Sequence, residues 1–360
     1  MTDATVRFLV PAGIDDDERV SGGNVYDRRL ADGLRARGVQ VRMVPVAEGR
    51  IAEIAHAMSA LPDDGIVLID GMIAVPASEV LLAHSTRLRI VVLAHMVAST
   101  LSEPNRGAWT TEREREALHA ARAVITTSEW TRSALVARAL AEPDRIAVAR
   151  PGTDVVPAAP GSETGARLLS VGAVAPHKGQ DVLVDALAGM VDLPDWTCRV
   201  VGSLDVDREF ALRTMSAIRS ASLAERVALT GVLTGPQLED AYRTADLVVA
   251  PSRAESYGMV VGEALARGIP VVASCVGGVP EAIAGSPAGV LVPSGDPGAL
   301  RAVLRRWRGD VGWRAAFKEE AMASRTTRPT WDETAGIVAG VLGEVRDSSD
   351  VAGRERRAAG

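Results

Sequence analysis

The chain predicts an α/β protein made of two doubly wound parallel sheets in tandem. Three observations carry that expectation. Short apolar, β-branched runs alternate with helix-like stretches along almost all of the 360 residues. The alternation breaks once, in the Pro- and Gly-rich segment 151–165 (PGTDVVPAAPGSETG), and then restarts. A chain of this length also exceeds one ordinary core and suits two domains of about 150–180 residues each.

The first series places strands at 6–10, 39–45, 66–70, 90–95 and 123–127, then 146–149, with helices at 24–37, 113–121 and 128–140 between them. The second places strands at 166–171, 197–201, 226–230 and 247–250, ending at 291–293, with helices from Gln180, after Asp205 and from Pro236. Two Rossmann-like domains follow, at 1–158 and 165–325. A last helix, 330–345, comes after the second sheet is complete and by analogy returns to the first domain. The small, polar and charged tail 346–360 reads as disordered.

Composition bounds the partners. The hydrophobic share is 47%, the charged share 24% and the net charge −6, which suits a globular protein with nothing overall to draw it to nucleic acid. Two cysteines, Cys198 and Cys275, each lie in or beside an apolar run and read as buried free thiols in a reducing compartment. No spacing resembles a metal site. The start, MTDATVRFLV, lacks a basic leader, and no window offers the ~18 apolar residues a membrane span needs, so the expectation is a soluble, cytoplasmic protein. Arginines on two helices (Arg132 and Arg138; Arg305, Arg306 and Arg308) read as solvated faces, with membrane contact at most peripheral.

The densest chemistry lies at 251–263, PSRAESYGMVVGE. The run DLVVA before it reads as a buried strand, and helix formers follow until Gly268 and Pro270 stop them. Glu255 then sits on a strand-to-helix loop, and Glu263 about two turns into the helix on much the same face. Between them the amides of Ser256, Tyr257, Gly258 and Met259 are unpaired donors at a positive helix end, ready for phosphate. Two glutamates so spaced also occur as ordinary helix-start acids. Three further segments raise the functional reading. VGAVAPHKG (171–179) puts Lys178 in a Gly-flanked loop at the C-terminal edge of its sheet, where such sheets bind ligands. SGGNVYD (21–27) opens the first helix, where Gly22 and Gly23 allow close approach to an anion, although it reads equally as a flexible loop beside an N-cap. His95 closes the strand IVVLAH, as a polar group facing a cleft or as a strand cap with a satisfied ring.

Together these residues resemble the family 4 retaining glycosyltransferases of the GT-B fold, strongest over 168–293 and, in the first domain, over SGGNVYD, His95, AVITTSEWTRSAL and PGTD. The resemblance implies two Rossmann-like domains facing across a cleft, a nucleotide-sugar donor such as a UDP- or GDP-sugar as co-substrate, an unidentified acceptor, and no metal or other cofactor. It implies that Glu255 holds the transferred sugar, Glu263 the ribose, and Lys178 with the amides of Tyr257, Gly258 and Met259 the diphosphate. Gly23 would approach the donor phosphates, and His95 would sit beside the donor sugar. The acceptor hydroxyl would attack from the face the diphosphate leaves. One position departs from the pattern: Ala173 stands where the family carries an Arg, and Arg253 is the plausible replacement cation. A sugar-nucleotide binding protein without strong catalysis is the competing reading, with Ala173 as its clue. A phosphorylase or epimerase of similar fold lacks its own motifs here, as does a dehydrogenase, since GxGxxG is absent. Acceptor choice is expected to lie in first-domain loops such as 98–111.

Overall fold

The computed structural model describes residues 5–16, 20–47, 49–100 and 107–358. The chain divides into two compact units. One comprises Met1–Asp15, Gly22–Gly152 and Thr330–Gly360; the other comprises Asp16–Ser21 and Thr153–Pro329.

The first unit holds β1 (Val6–Pro11), β2 (Val41–Val46), β3 (Ile66–Asp70), β4 (Arg89–Ala94), β5 (Ala123–Thr126) and β6 (Ile146–Val148), in the order β2-β1-β3-β4-β5-β6. Every pairing is parallel. β3 and β4 lie mid-sheet and are buried at every position, which is why they read as continuous apolar runs rather than alternating ones. Their core includes Ile69, Ile90, Val92 and Val124.

The C-terminal helix Trp331–Ala358 belongs to this unit and packs on helix Gly22–Ala36. Arg37 Nη2 donates to Asp332 Oδ2 at 2.8 Å, and Thr334 Oγ1 donates to Arg150 O at 2.7 Å. Arg89, almost wholly buried, gives Nη1 to the carbonyls of Val345 (2.5 Å) and Arg346 (2.8 Å). The helix runs on to Ala358 rather than stopping at residue 345. The stretch after it contains no proline and several good helix formers, so the backbone ladder continues where composition alone suggested a disordered tail.

The second unit holds β7 (Arg167–Val171), β8 (Thr197–Val201), β9 (Val227–Gly231), β10 (Leu247–Ala250), β11 (Val271–Ser274) and β12 (Gly289–Val292), in the order β12-β11-β10-β7-β8-β9, again all parallel. Helices cover both faces in each unit, the only way a parallel sheet hides two apolar faces. Trp196, Trp307, Tyr242 and Phe317 add the large side chains of its core. Trp307 also donates its indole N–H to Gly165 O at 2.8 Å, which ties the segment before β7 to the unit.

Cys198 is buried, but Cys275 is exposed. Cys275 follows the last residue of β11 and so falls on the loop beyond the sheet rather than in the apolar run beside it. Among the described residues no helix is long and apolar enough to cross a membrane.

Candidate active site

In the second unit the loops after β7, β10 and β11 meet at the C-terminal edge of the sheet. After β7 the chain makes a short 3-10 turn, Pro176–Lys178, and Gly179 takes φ +69° to launch helix Gln180–Ala188. A Cβ at 179 would collide with the Pro251 carbonyl oxygen, so glycine is what lets the two loops touch. The amides of Arg253 and Ala254 then donate to His177 O at 2.7 and 3.3 Å. On the other side Gln180 Nε2 donates to Ala173 O at 2.9 Å, and its Oε1 accepts from Ala175 N at 3.3 Å.

This clamp sets Lys178 against Glu255. Nζ donates to Glu255 Oε1 at 2.5 Å, and Ser252 Oγ donates to the same oxygen at 3.0 Å. The two side chains keep 25% and 18% of their surface, so the pair is supported by protein yet reachable from solvent. The loop after β11 backs it. A Cβ at Gly277 would overlap the Glu255 carbonyl oxygen, and the Gly278 amide donates to that oxygen at 3.2 Å.

Gly258 precedes helix Met259–Ala266 at φ +95°, and no side chain caps that helix. The first-turn amides of a helix have no partner within it. Here they open beside a narrow crevice lined by Ser170, Lys178, Ser252, Glu255, Gly258 and Val261. A cation, a carboxylate and a positive helix end thus share one small space, a set suited to an anionic group carrying hydroxyls.

Glu263 is the fifth residue of that helix, little more than one turn in rather than two, because the helix starts at Met259. Its Oε2 accepts from Tyr242 Oη at 2.6 Å, and it does not line the Lys178 crevice. Arg253 turns the other way. Its guanidinium forks onto Asp181 Oδ1 and Oδ2, both at 2.7 Å, and Nη1 also reaches Pro176 O at 2.8 Å. Ser256 and Tyr257 lie on the loop held by Gly277 and Gly278, with Tyr257 buried.

In the first unit, His95 stands just past the end of β4. Its Nε2 is 2.8 Å from Asp27 Oδ1 and 3.4 Å from Asp70 Oδ2, and all three side chains are almost wholly buried. Asp70 ends β3 and also accepts from Met72 N at 2.6 Å, capping the short helix Gly71–Ala74. Tyr26 presents its ring edge-on to His95 at 5.1 Å, and its hydroxyl donates to Ala149 O at 2.8 Å. Gly22 opens helix Gly22–Ala36, and a Cβ at Gly23 would sit 3.5 Å from the His95 ring, so the glycine leaves one face of the imidazole uncrowded.

Burial by itself would lower the His95 pKa, but Asp27 and Asp70 outweigh it and raise the group to about 10. Asp27 is raised too, by burial first and then by Asp70, with His95 opposing. The cluster therefore holds an imidazolium at neutral pH. Among the described residues these three are the one His/Asp/Glu/Cys group close enough to converge on a metal ion, one ligand atom from each lying within 4.8 Å.

The sequence reading missed Asp27, Asp70, Ser252, Asp181 and Tyr242. Asp70 carried a signal, since it closes a strand at the same sheet edge as His95; Asp27 lay inside SGGNVYD without being singled out. Of the loop 98–111, expected from the sequence to bear on acceptor choice, residues 101–106 lie outside the described residues.

The family model of glycosyl transferases group 1 matches residues 165–310. The chain is 32% identical over 225 residues to a D-inositol 3-phosphate glycosyltransferase of Segniliparus rotundus, covering 57% of this chain and 49% of that protein. It is 34% identical over 245 residues to the enzyme of the same name from Acidothermus cellulolyticus, covering 62% and 53%. The chain spans about half the length of these curated relatives. Among solved structures, sucrose-phosphate synthase from Thermosynechococcus elongatus superposes with a TM-score of 0.80 at 20% identity, covering 96% of this chain and 99% of that one. Anabaena HepE in complex with UDP and glucose gives 0.74 at 20% identity, covering 95% and 100%. These likenesses show the fold, which is GT-B.

Proposed function

We propose that the protein is a retaining glycosyltransferase, a reading supported by the match of residues 165–310 to the family model of glycosyl transferases group 1. It moves a sugar from a nucleotide-diphosphate donor, a UDP- or GDP-sugar, to a hydroxyl of a small-molecule, lipid or glycan acceptor. The observation that carries this reading is the Lys178–Glu255 pair set beside an uncapped helix N-terminus in one crevice.

Each group has work to do in that reaction. The amides at Gly258 and Met259 and the Lys178 ammonium take the charge that grows on the diphosphate as the anomeric C–O bond breaks. Glu255 Oε2, which has no hydrogen bond among the described residues, accepts from hydroxyls of the transferred sugar and orients it. The acceptor oxygen attacks from the face the diphosphate leaves, and its proton passes to a departing phosphate oxygen. Because the leaving phosphate is the base, no protein nucleophile is required. Lys178 and the helix end carry the leaving-group charge, so no metal step enters the proposal. His95, with its Nε2 committed to Asp27, is assigned no step in this reading.

A second reading has a specific observation behind it. Ala173 supplies no cation, and Arg253 is already forked onto Asp181, so the diphosphate meets one charge fewer than the family pattern provides. A sugar-nucleotide binding protein with weak turnover would look the same. One experiment separates the two. The protein is incubated with UDP-, GDP- and ADP-sugars and an acceptor panel headed by D-inositol 3-phosphate, for which the curated relatives are named, while nucleotide release is followed. Acceptor-dependent release with retained anomeric configuration supports the transferase. Donor binding seen as a thermal shift, without release, supports the binding protein. Neither shift nor release with any donor overturns both.

A further inference from the structure

We infer that Tyr242 is the positioning residue that orients Glu263 and thereby sets the preference for ribose over deoxyribose in the bound nucleotide. The inference rests on the reading of Glu263 as the ribose ligand. It comes from a network built wholly within the second unit and not visible in any motif.

Tyr242 lies on helix Gly235–Thr244 and is 1% exposed. Its hydroxyl meets Glu263 Oε2 at 2.6 Å, and among the described residues that is its one hydrogen bond. Burial first, and then Glu263, keep the phenol protonated far above neutral pH. The phenol is therefore the donor and Glu263 Oε2 the acceptor. Arg267 locks the arrangement from the other side. Its guanidinium lies 4.4 Å over the Tyr242 ring, forks onto Glu239 at 2.6 and 3.0 Å, and gives Nη1 to the Glu263 carbonyl at 2.9 Å. Ring, carboxylate and helix backbone are held as one piece.

A carboxylate has about four lone-pair directions. Tyr242 takes one on Oε2, and Oε1 keeps both of its own, since no other hydrogen bond reaches the side chain among the described residues. What remains is a fixed acceptor edge with room for two adjacent hydroxyl donors. A vicinal ribose diol fits that edge; a 2′-deoxyribose offers one donor and leaves the other lone pair to water. Without the phenol the carboxylate is free to rotate, and the ligand must then supply the ordering that the protein now provides.

The test uses the full chain with UDP and 2′-deoxy-UDP, and with GDP and 2′-deoxy-GDP, by isothermal titration calorimetry. The variants are Tyr242→Phe, Glu263→Gln and the double substitution. Tyr242→Phe keeps the ring, its packing and the contact with Arg267. It is expected to weaken the preferred ribonucleotide about 10- to 100-fold, as loss of one hydrogen bond to a charged group does, while leaving the deoxy form nearly unchanged. Glu263→Gln should erase the same preference, and the double variant should add little more. In turnover, Tyr242→Phe should raise the donor KM much more than it lowers kcat.

The outcomes separate the inference from the reading beneath it. If Tyr242→Phe keeps the full preference while Glu263→Gln loses it, Tyr242 is not the positioning residue and the ribose reading stands. If Tyr242→Phe weakens both nucleotides equally, its role is general packing and the inference fails. If Glu263→Gln also keeps the preference, Glu263 does not hold ribose and the underlying reading fails.

Discussion

The two units each hold a charged cluster at the C-terminal edge of a parallel sheet, built in opposite ways. In the first, His95, Asp27 and Asp70 are almost wholly buried and sit at the ends of β4 and β3 and in the first turns of a helix. In the second, Lys178 and Glu255 keep 25% and 18% exposure and sit on loops pinned by glycine contacts and backbone hydrogen bonds. A buried cluster has lost its hydration and depends on its partners, so its charges are committed to one another. A half-exposed pair costs little to hold and little to open, so its charges remain available to a ligand. The same chemistry thus makes a fixed charge in one unit and an exchangeable one in the other.

The largest expected effects test that contrast directly. Asp27→Ala removes the closest partner of a buried imidazolium and should cost about 3–5 kcal/mol of stability, read as the shift in urea unfolding. Lys178→Ala should cost less than about 1 kcal/mol in the same measurement, yet lower kcat about 100- to 1000-fold as the charge on the leaving phosphate goes unmet. Equal stability losses for the two, or an active Lys178→Ala, would collapse the distinction.

The pH dependence comes next. His95 is raised from 6.5 to about 10 in the folded protein, so the native state binds more protons than the unfolded chain between those values. Its contribution is complete below about pH 6.5 and is lost as pH rises toward 10. The raised Asp27 acts with the same sign over a more acidic window. Stability should therefore fall by about 1–3 kcal/mol between roughly pH 6.5 and 9.5. His95→Gln should flatten that fall. A flat profile in the unsubstituted protein would mean that the ring is neutral when folded.

What the sequence disclosed follows the range of the forces involved. Strands 66–70 and 247–250 stand where β-branched runs put them, because central parallel strands are buried on both faces and need unbroken apolar stretches. Glu255 and Lys178 were visible for a local reason, since each sits in a Gly-containing loop at the edge of a strand. Asp27 and Tyr242 were not singled out. Their meaning lies in partners 68 and 21 positions away, brought close by crossover topology that no local pattern encodes. Cys275 and the end of the last helix show the same limit on a smaller scale: composition gave the kind of neighbourhood, and the position of an element boundary decided the outcome.

Arg253 supplies the smallest expected effect and the sharpest remaining question about the exposed site. As a diphosphate cation it would need to be free; instead it forks onto Asp181 and holds Pro176 O, with its own amide on His177 O at 2.7 Å. That geometry staples the Lys178 turn to the Glu255 loop. Both partners are about two-fifths exposed, so water screens the pair and its loss should amount to about 1 kcal/mol or less, roughly a fivefold rise in donor KM. Because only the planar fork matches both carboxylate oxygens, Arg253→Lys should behave like Arg253→Ala. The deciding variant is Asp181→Asn. A staple predicts that Asp181→Asn weakens donor binding as much as Arg253→Ala does, with the double substitution no worse than either. A diphosphate cation predicts the reverse, since releasing the guanidinium from Asp181 would strengthen donor binding. The donor KM of these three variants, measured side by side, assigns Arg253 to the scaffold of the site or to its chemistry.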